Sequence, residues 1–139
     1  PPISSSDSVV CGKFWNTTMT APYYQYGIEL AGGNQPYFYI GTASGPLFAS
    51  MGSRLPYGQW SHLAIVFNGS QAQFYVNGAL ISTQPLSASL TARGNPLNIG
   101  SDITPAQFYK GLLDEVRIYN RALTASEVEA DMTTPLDAP

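Results

Sequence analysis

The chain has 139 residues, 11% of them charged and 12% aromatic, with nine Tyr and a formal net charge of −3. That length makes one compact domain around one core, and a charged fraction well below the roughly 25% of ordinary domains, with abundant Tyr and Gly, fits a secreted β-protein and argues against disorder. The six Lys and Arg are spread singly from Lys13 to Arg121, which leaves no basic stripe for a phosphate backbone and excludes nucleic acid as a partner.

From the amino terminus, Pro1 to Ser6 lacks a charged and apolar export pattern, so any export signal is expected to lie outside this sequence. Val9 to Phe14, Tyr24 to Leu30 and Pro36 to Gly41 read as strands, being rich in β-branched and aromatic residues and bounded by turn residues. Gly32-Gly33-Asn34 makes the last two of them a hairpin. Between the first and second strands, Trp15 to Tyr23 is irregular, polar and aromatic, and is the loop expected to carry function if a loop does.

The clearest local pattern runs from Trp60 to Ser82, where apolar runs are separated by Asn68-Gly69-Ser70 and by Asn77-Gly78. Asn-Gly pairs accept positive φ at both central turn positions, so two tight hairpins are expected. Leu63, Ile65 and Phe67 alternate toward one face, as a half-buried strand requires. A further strand is expected near Pro96 to Gly100, and a last long one from about Tyr109 to Tyr119. Pro96 suits only a first strand residue or an edge. Thr124-Ala125-Ser126-Glu127 is a capping box that opens a short helix, with Leu123 and Val128 at its staple positions. The whole is an all-β, antiparallel jelly-roll-type sandwich with one short C-terminal helix over residues 1–132, followed by a linker or tail at 133–139. No apolar run approaches the roughly 18 residues needed to span a bilayer.

Several residue types with chemical potential read as structural. Cys11 has no partner cysteine and sits in an apolar run, where a buried inert thiol is usual. His62, the only histidine, has no second His, Cys or nucleophilic Ser at metal or triad spacing. Glycoside hydrolysis needs two carboxylates flanking one bond. No strand here carries alternating acids, and the adjacent Asp114 and Glu115 would point to opposite faces, so no catalytic residue is assigned and the chain is read as no enzyme. Glycan binding uses aromatic faces that stack on sugar rings. Tyr37, Tyr39 and Tyr75 are expected to alternate outward from Phe38, Ile40 and Phe74, and Trp15 and Tyr24 add a second aromatic cluster.

Four segments stand together: Gln59-Trp60-Ser61-His62-Leu63-Ala64, Phe74-Tyr75-Val76-Asn77-Gly78, Asn98-Ile99-Gly100, and Gly111 to Thr124 with Asp114-Glu115-Val116-Arg117-Ile118-Tyr119-Asn120-Arg121-Ala122-Leu123. In this order and spacing the chain resembles the bacterial laminin-G-like, concanavalin A-type lectin domain. The resemblance implies an extracellular module, secreted or at the cell surface, that binds carbohydrate or a protein surface, and it marks Asp114 as the acid that helps hold a structural calcium in such domains. It also implies opening strands that have no counterpart here, so the domain reads as incomplete at its N-terminus. The last strand is then expected to lack neighbours, to be covered by the rest of a longer chain or by strands from a neighbouring molecule, unless the domain is a minimal variant that closes differently. A structural or adhesive assembly module completed in that way is the alternative function; a glycoside hydrolase is the third.

Overall fold

The computed structural model describes residues 7–14, 24–102 and 107–136, and in it two antiparallel sheets face each other as a jelly-roll β-sandwich with one helix. β1 (Ser8–Lys13), β2 (Tyr26–Ala31), β3 (Gln35–Thr42), β4 (Gly45–Ser50) and a later two-residue strand build the first sheet; β5 (Leu63–Phe67), β6 (Gln71–Val76) and β7 (Ala79–Pro85) build the second. The two-residue strand is β8 (Asn98–Ile99), which pairs with β1, so the larger sheet runs β4-β3-β2-β1-β8. The helix α1 spans Ala125–Thr133. Among the described residues no helix is long and apolar enough to cross a membrane.

The turns follow from residues that tolerate left-handed backbone. Asn77 and Gly78 take φ of 50° and 80°, which matches the right-handed strand twist of a two-residue hairpin. The turn before β6 closes differently from the expected tight pair. There only Gly69 has positive φ, and Asn68 accepts through Oδ1 from the amides of Ser70 and Gln71 at 3.0 Å. Helix α1 opens as expected, with Thr124 and Glu127 bonded reciprocally. Leu123 and Val128 pack into one cluster with Val66 and Tyr75, so the helix covers the outer face of the smaller sheet.

The main core lies between the sheets. Phe38, Ile40 and Ala49 of the larger sheet, with Met51 just after β4, meet Ala72 and Phe74 of the smaller one, with Ile40 and Phe74 at 0% exposure. β4 was not expected from the sequence. Pro46 suits an edge strand because it lacks an amide to donate, and β4 is indeed the sheet's edge.

The long last strand expected over 109–119 does not form; the segment is irregular and leaves Leu112 74% and Ile118 47% exposed. A strand exists only by its ladder, and β5, an edge of the smaller sheet, pairs with β6 alone. Side chains hold the segment instead. Arg117 forms an ion pair with Glu115 at 3.1 Å and with Asp131 of α1 at 3.5 Å, and donates to the carbonyl oxygens of Asp131 and Thr134.

Candidate functional site

The outer face of the larger sheet, turned away from the core, gathers most of the expected site residues and several unexpected ones. Pairing sets its rows: Val9, Glu29, Tyr37 and Ser50 lie side by side across β1 to β4, and Gly12, Gly27, Tyr39 and Phe48 form the next row. Because side chains alternate along a strand, these residues all oppose Phe38 and Ile40.

Two glycines make room for the first aromatic ring. A Cβ on Gly27 would lie 2.1 Å from the Phe14 ring, and one on Gly12 would lie 2.5 Å from it. Phe14 therefore lies flat over the sheet, fully buried, and meets Tyr24 edge to face at 5.8 Å. Tyr24 is placed by Gly41, whose added Cβ would sit 1.8 Å from the Tyr24 carbonyl oxygen. From Tyr24 the rings continue to Tyr39 at 6.2 Å, then to Tyr37 at 6.2 Å and Phe48 at 5.8 Å. Tyr37 and Phe48 are 6.0 Å apart.

The row is closed at one end and open at the other. Tyr24 is 3% exposed and Tyr39 2%, whereas Tyr37 is half-buried and Phe48 is 46% exposed at the sheet edge. Beside the open end, Gln35 donates through Nε2 to the Ser50 hydroxyl, placing an amide and a hydroxyl next to the rings. The expected outward alternation of Tyr37 and Tyr39 is correct for the face, but Tyr39 and Tyr24 present no free ring because other parts of the chain cover them. Tyr75 departs further from its expected place: at 4% exposure it packs with Val66 and Val128 beneath α1. Trp15 lies outside the described residues.

At the closed end stand carboxylates that no sequence spacing connects. Glu29 is 0%, Asp7 5% and Asp102 7% exposed. Asp7 lies two residues before Val9, the cross-strand neighbour of Glu29, and Asp102 follows β8 on the other side of β1. Among the described residues neither oxygen of Glu29 has a hydrogen-bond partner, nor has the Tyr39 hydroxyl. Burial first, then the charges of Asp7 and Asp102, push the Glu29 carboxyl up to about 7. Burial and the nearby Glu29 likewise hold the hydroxyls of Tyr24 and Tyr39 well above the ordinary tyrosine value.

Asp114 is exposed, and its Oδ1 accepts from the Glu115 amide at 2.8 Å. Its neighbour Glu115 turns to Arg117 and to the amide of Leu136. Among the described residues no three His, Cys, Asp or Glu side chains converge in a way that holds a metal ion. Burial pushes the Cys11 thiol up to about 11, which disfavours the reactive thiolate. His62 donates its backbone amide to Asn77 Oδ1 at 2.9 Å, and burial lowers its imidazole below the usual value.

A second feature is a groove of about 1570 Å³ bordered by both sheets and the irregular segment, lined by Val10, Ile28, Leu63, Ile65, Leu113 and Val116. Tyr57 and Trp60, 74% and 65% exposed, stand at its rim. Sequence reading placed Trp60 in a strand-opening segment and gave neither residue a surface role.

Residues 4–129 match a family described as the concanavalin A-like lectin/glucanases superfamily. Among solved structures, the chain is similar to the crystal structure of residues 221–444 of an S-layer domain-containing protein from Clostridium thermocellum, at 21% identity and a TM-score of 0.43. That match covers 95% of this chain and 65% of the other, so the chain spans less than two thirds of its structural relative. No curated protein matches the chain significantly.

Proposed function

The chain belongs to the concanavalin A-like lectin/glucanases superfamily, and within it we propose a non-catalytic binding module that takes carbohydrate at the β3–β4 edge of the outer face. The observation that carries this reading is the aromatic row that surfaces at Phe48 and Tyr37, next to the amide of Gln35 and the hydroxyl of Ser50. A sugar ring offers an apolar face for stacking and hydroxyls for such polar groups. Catalysis by paired carboxylates is disfavoured because Asp7, Glu29 and Asp102 are all closed off, whereas hydrolysis needs two acids on either side of a bound glycosidic bond. A secreted or cell-surface location goes with this reading.

Calorimetric titration with a panel of neutral oligosaccharides tests it. At least one sugar should bind saturably, with Phe48→Ala and Tyr37→Ala each weakening it by about tenfold, a loss of about 1.4 kcal/mol. Binding that survives both substitutions, or no binding across the panel, would overturn the assignment of this edge.

The groove favours a second reading, an assembly module completed by a strand from a neighbouring chain. β5 is an edge strand whose Leu63, Ala64 and Ile65 are only half-buried, and it borders the groove. Sedimentation over a wide concentration range tests that reading: self-association is expected, and a strictly monomeric chain would sink it.

A further inference from the structure

We propose that Glu29 is a protonation-sensitive latch of the outer face: while its carboxyl is neutral β1 stays paired to β2, and ionisation drives β1 away from β2. This device needs no ligand and stands independently of the binding reading.

The geometry isolates the group. Glu29 sits between Val9 and Tyr37 in its cross-strand row, at 0% exposure, with both oxygens unpartnered among the described residues. A carboxylate in such a place has lost its hydration and gained nothing in return, which is costly for the charged form and tolerable for the neutral one. The groups that face it come from every adjoining element. Asp7 precedes β1, Asp102 follows β8, Tyr24 precedes β2, and Tyr37 and Tyr39 belong to β3. Asp7 and Asp102 both oppose ionisation of Glu29. The carboxyl accordingly titrates at about 7, within the range where solution pH changes its charge.

The side that would yield is also identifiable. β8 contributes only the pairs Cys11–Ile99 and Gly12–Asn98, and the β1–β2 ladder is interrupted between Val9 and Cys11, directly beside Glu29. β3 and β4, on the far side, pair without a break over six positions. Repulsion between Glu29 and Asp7 therefore acts at the bulged end of the β1–β2 ladder, and β8 braces β1 there by only two pairs.

Amide hydrogen exchange of the full chain tests the latch, read as protection factors at about pH 5 and about pH 8.5, on either side of the Glu29 titration. Protection of Ser8–Lys13 should fall about tenfold or more at the higher pH while that of Gln71–Val76 in β6 is unchanged, and Glu29→Gln should abolish the difference. If Glu29→Gln does not fold, Asp7→Asn serves, since removing one opposing charge should move the midpoint of the wild-type transition to lower pH. Equal β1 protection at both pH values, the same fall in Glu29→Gln, or an unmoved midpoint in Asp7→Asn would overturn the proposal.

Discussion

The two ends of the outer face are built from the same chemistry and serve different ends. Near β1 and β2, Phe14, Tyr24 and Tyr39 are almost fully buried and enclose a carboxyl; near β3 and β4, Tyr37 and Phe48 belong to the same row of rings yet reach solvent. What separates them is cover. Glycines at 12, 27 and 41 let the chain lie down on the sheet at the first end, and nothing in the described residues lies over the edge strand at the second. An aromatic ring is thus structural or available according to what the backbone beside it permits, which residue type alone does not decide.

The sharpest way to break this contrast is to empty the closed end. Phe14→Ala removes a fully buried ring that fills the space above Gly12 and Gly27, so unfolding in urea should show a loss of about 3–5 kcal/mol. A loss below about 1 kcal/mol would mean that the closed end is not packed as described.

The next effect comes from pH. Glu29 holds its proton up to about 7 in the fold against an ordinary value of 4.5. Between those values the unfolded chain releases a proton that the folded chain keeps, so stability falls as pH rises. The contribution is complete below about 4.5, is lost by about 7, and amounts to about 3 kcal/mol. Chemical denaturation of wild type and Glu29→Gln across this range should show the two curves diverging by that amount. Parallel curves would remove Glu29 from the pH response.

A smaller perturbation tests the glycines directly. Gly27→Ala forces the Phe14 ring aside, at a cost of about 1–3 kcal/mol. In combination with Phe14→Leu the cost should be less than the sum of the two single changes, because the shorter side chain vacates the contact. Simple additivity would show that the strain lies elsewhere.

Much of the scaffold was legible because its causes are local. Asn77-Gly78 needs only two residues able to take positive φ, and the Thr124–Glu127 box needs only a spacing of three. Alternation likewise assigned Tyr37 and Tyr39 to one face and Phe38 and Ile40 to the other. Non-local causes stayed hidden. Gly111 to Tyr119 has strand composition, but a strand is a relation between two segments, and β5 is not paired to it. The burial of Tyr39 depends on Tyr24 crossing above Gly41, and that of Tyr75 on the return of α1. The carboxylates at 7, 29 and 102 meet only through the order β2-β1-β8, so a search for acids alternating on one strand could not find them. Exposed Phe48 was missed for a related reason: Gly45 and Pro46 weaken the strand pattern of β4, and an unseen strand has no outer face to examine.

The open end should respond least in stability and most in recognition. Phe48 is 46% exposed, and its ring contacts only Tyr37 and Tyr39 among the described rings, so Phe48→Ala leaves no sealed cavity behind. The expected change in unfolding free energy is within about 1 kcal/mol, well below that for Phe14→Ala, although both delete the same ring. Should Phe48→Ala cost as much as Phe14→Ala, the edge ring would be a packing element and the stacking surface proposed there would lose its basis. A near-neutral stability combined with lost sugar binding is the one outcome that assigns the two ends their separate roles, because no general loosening of the sheet produces it.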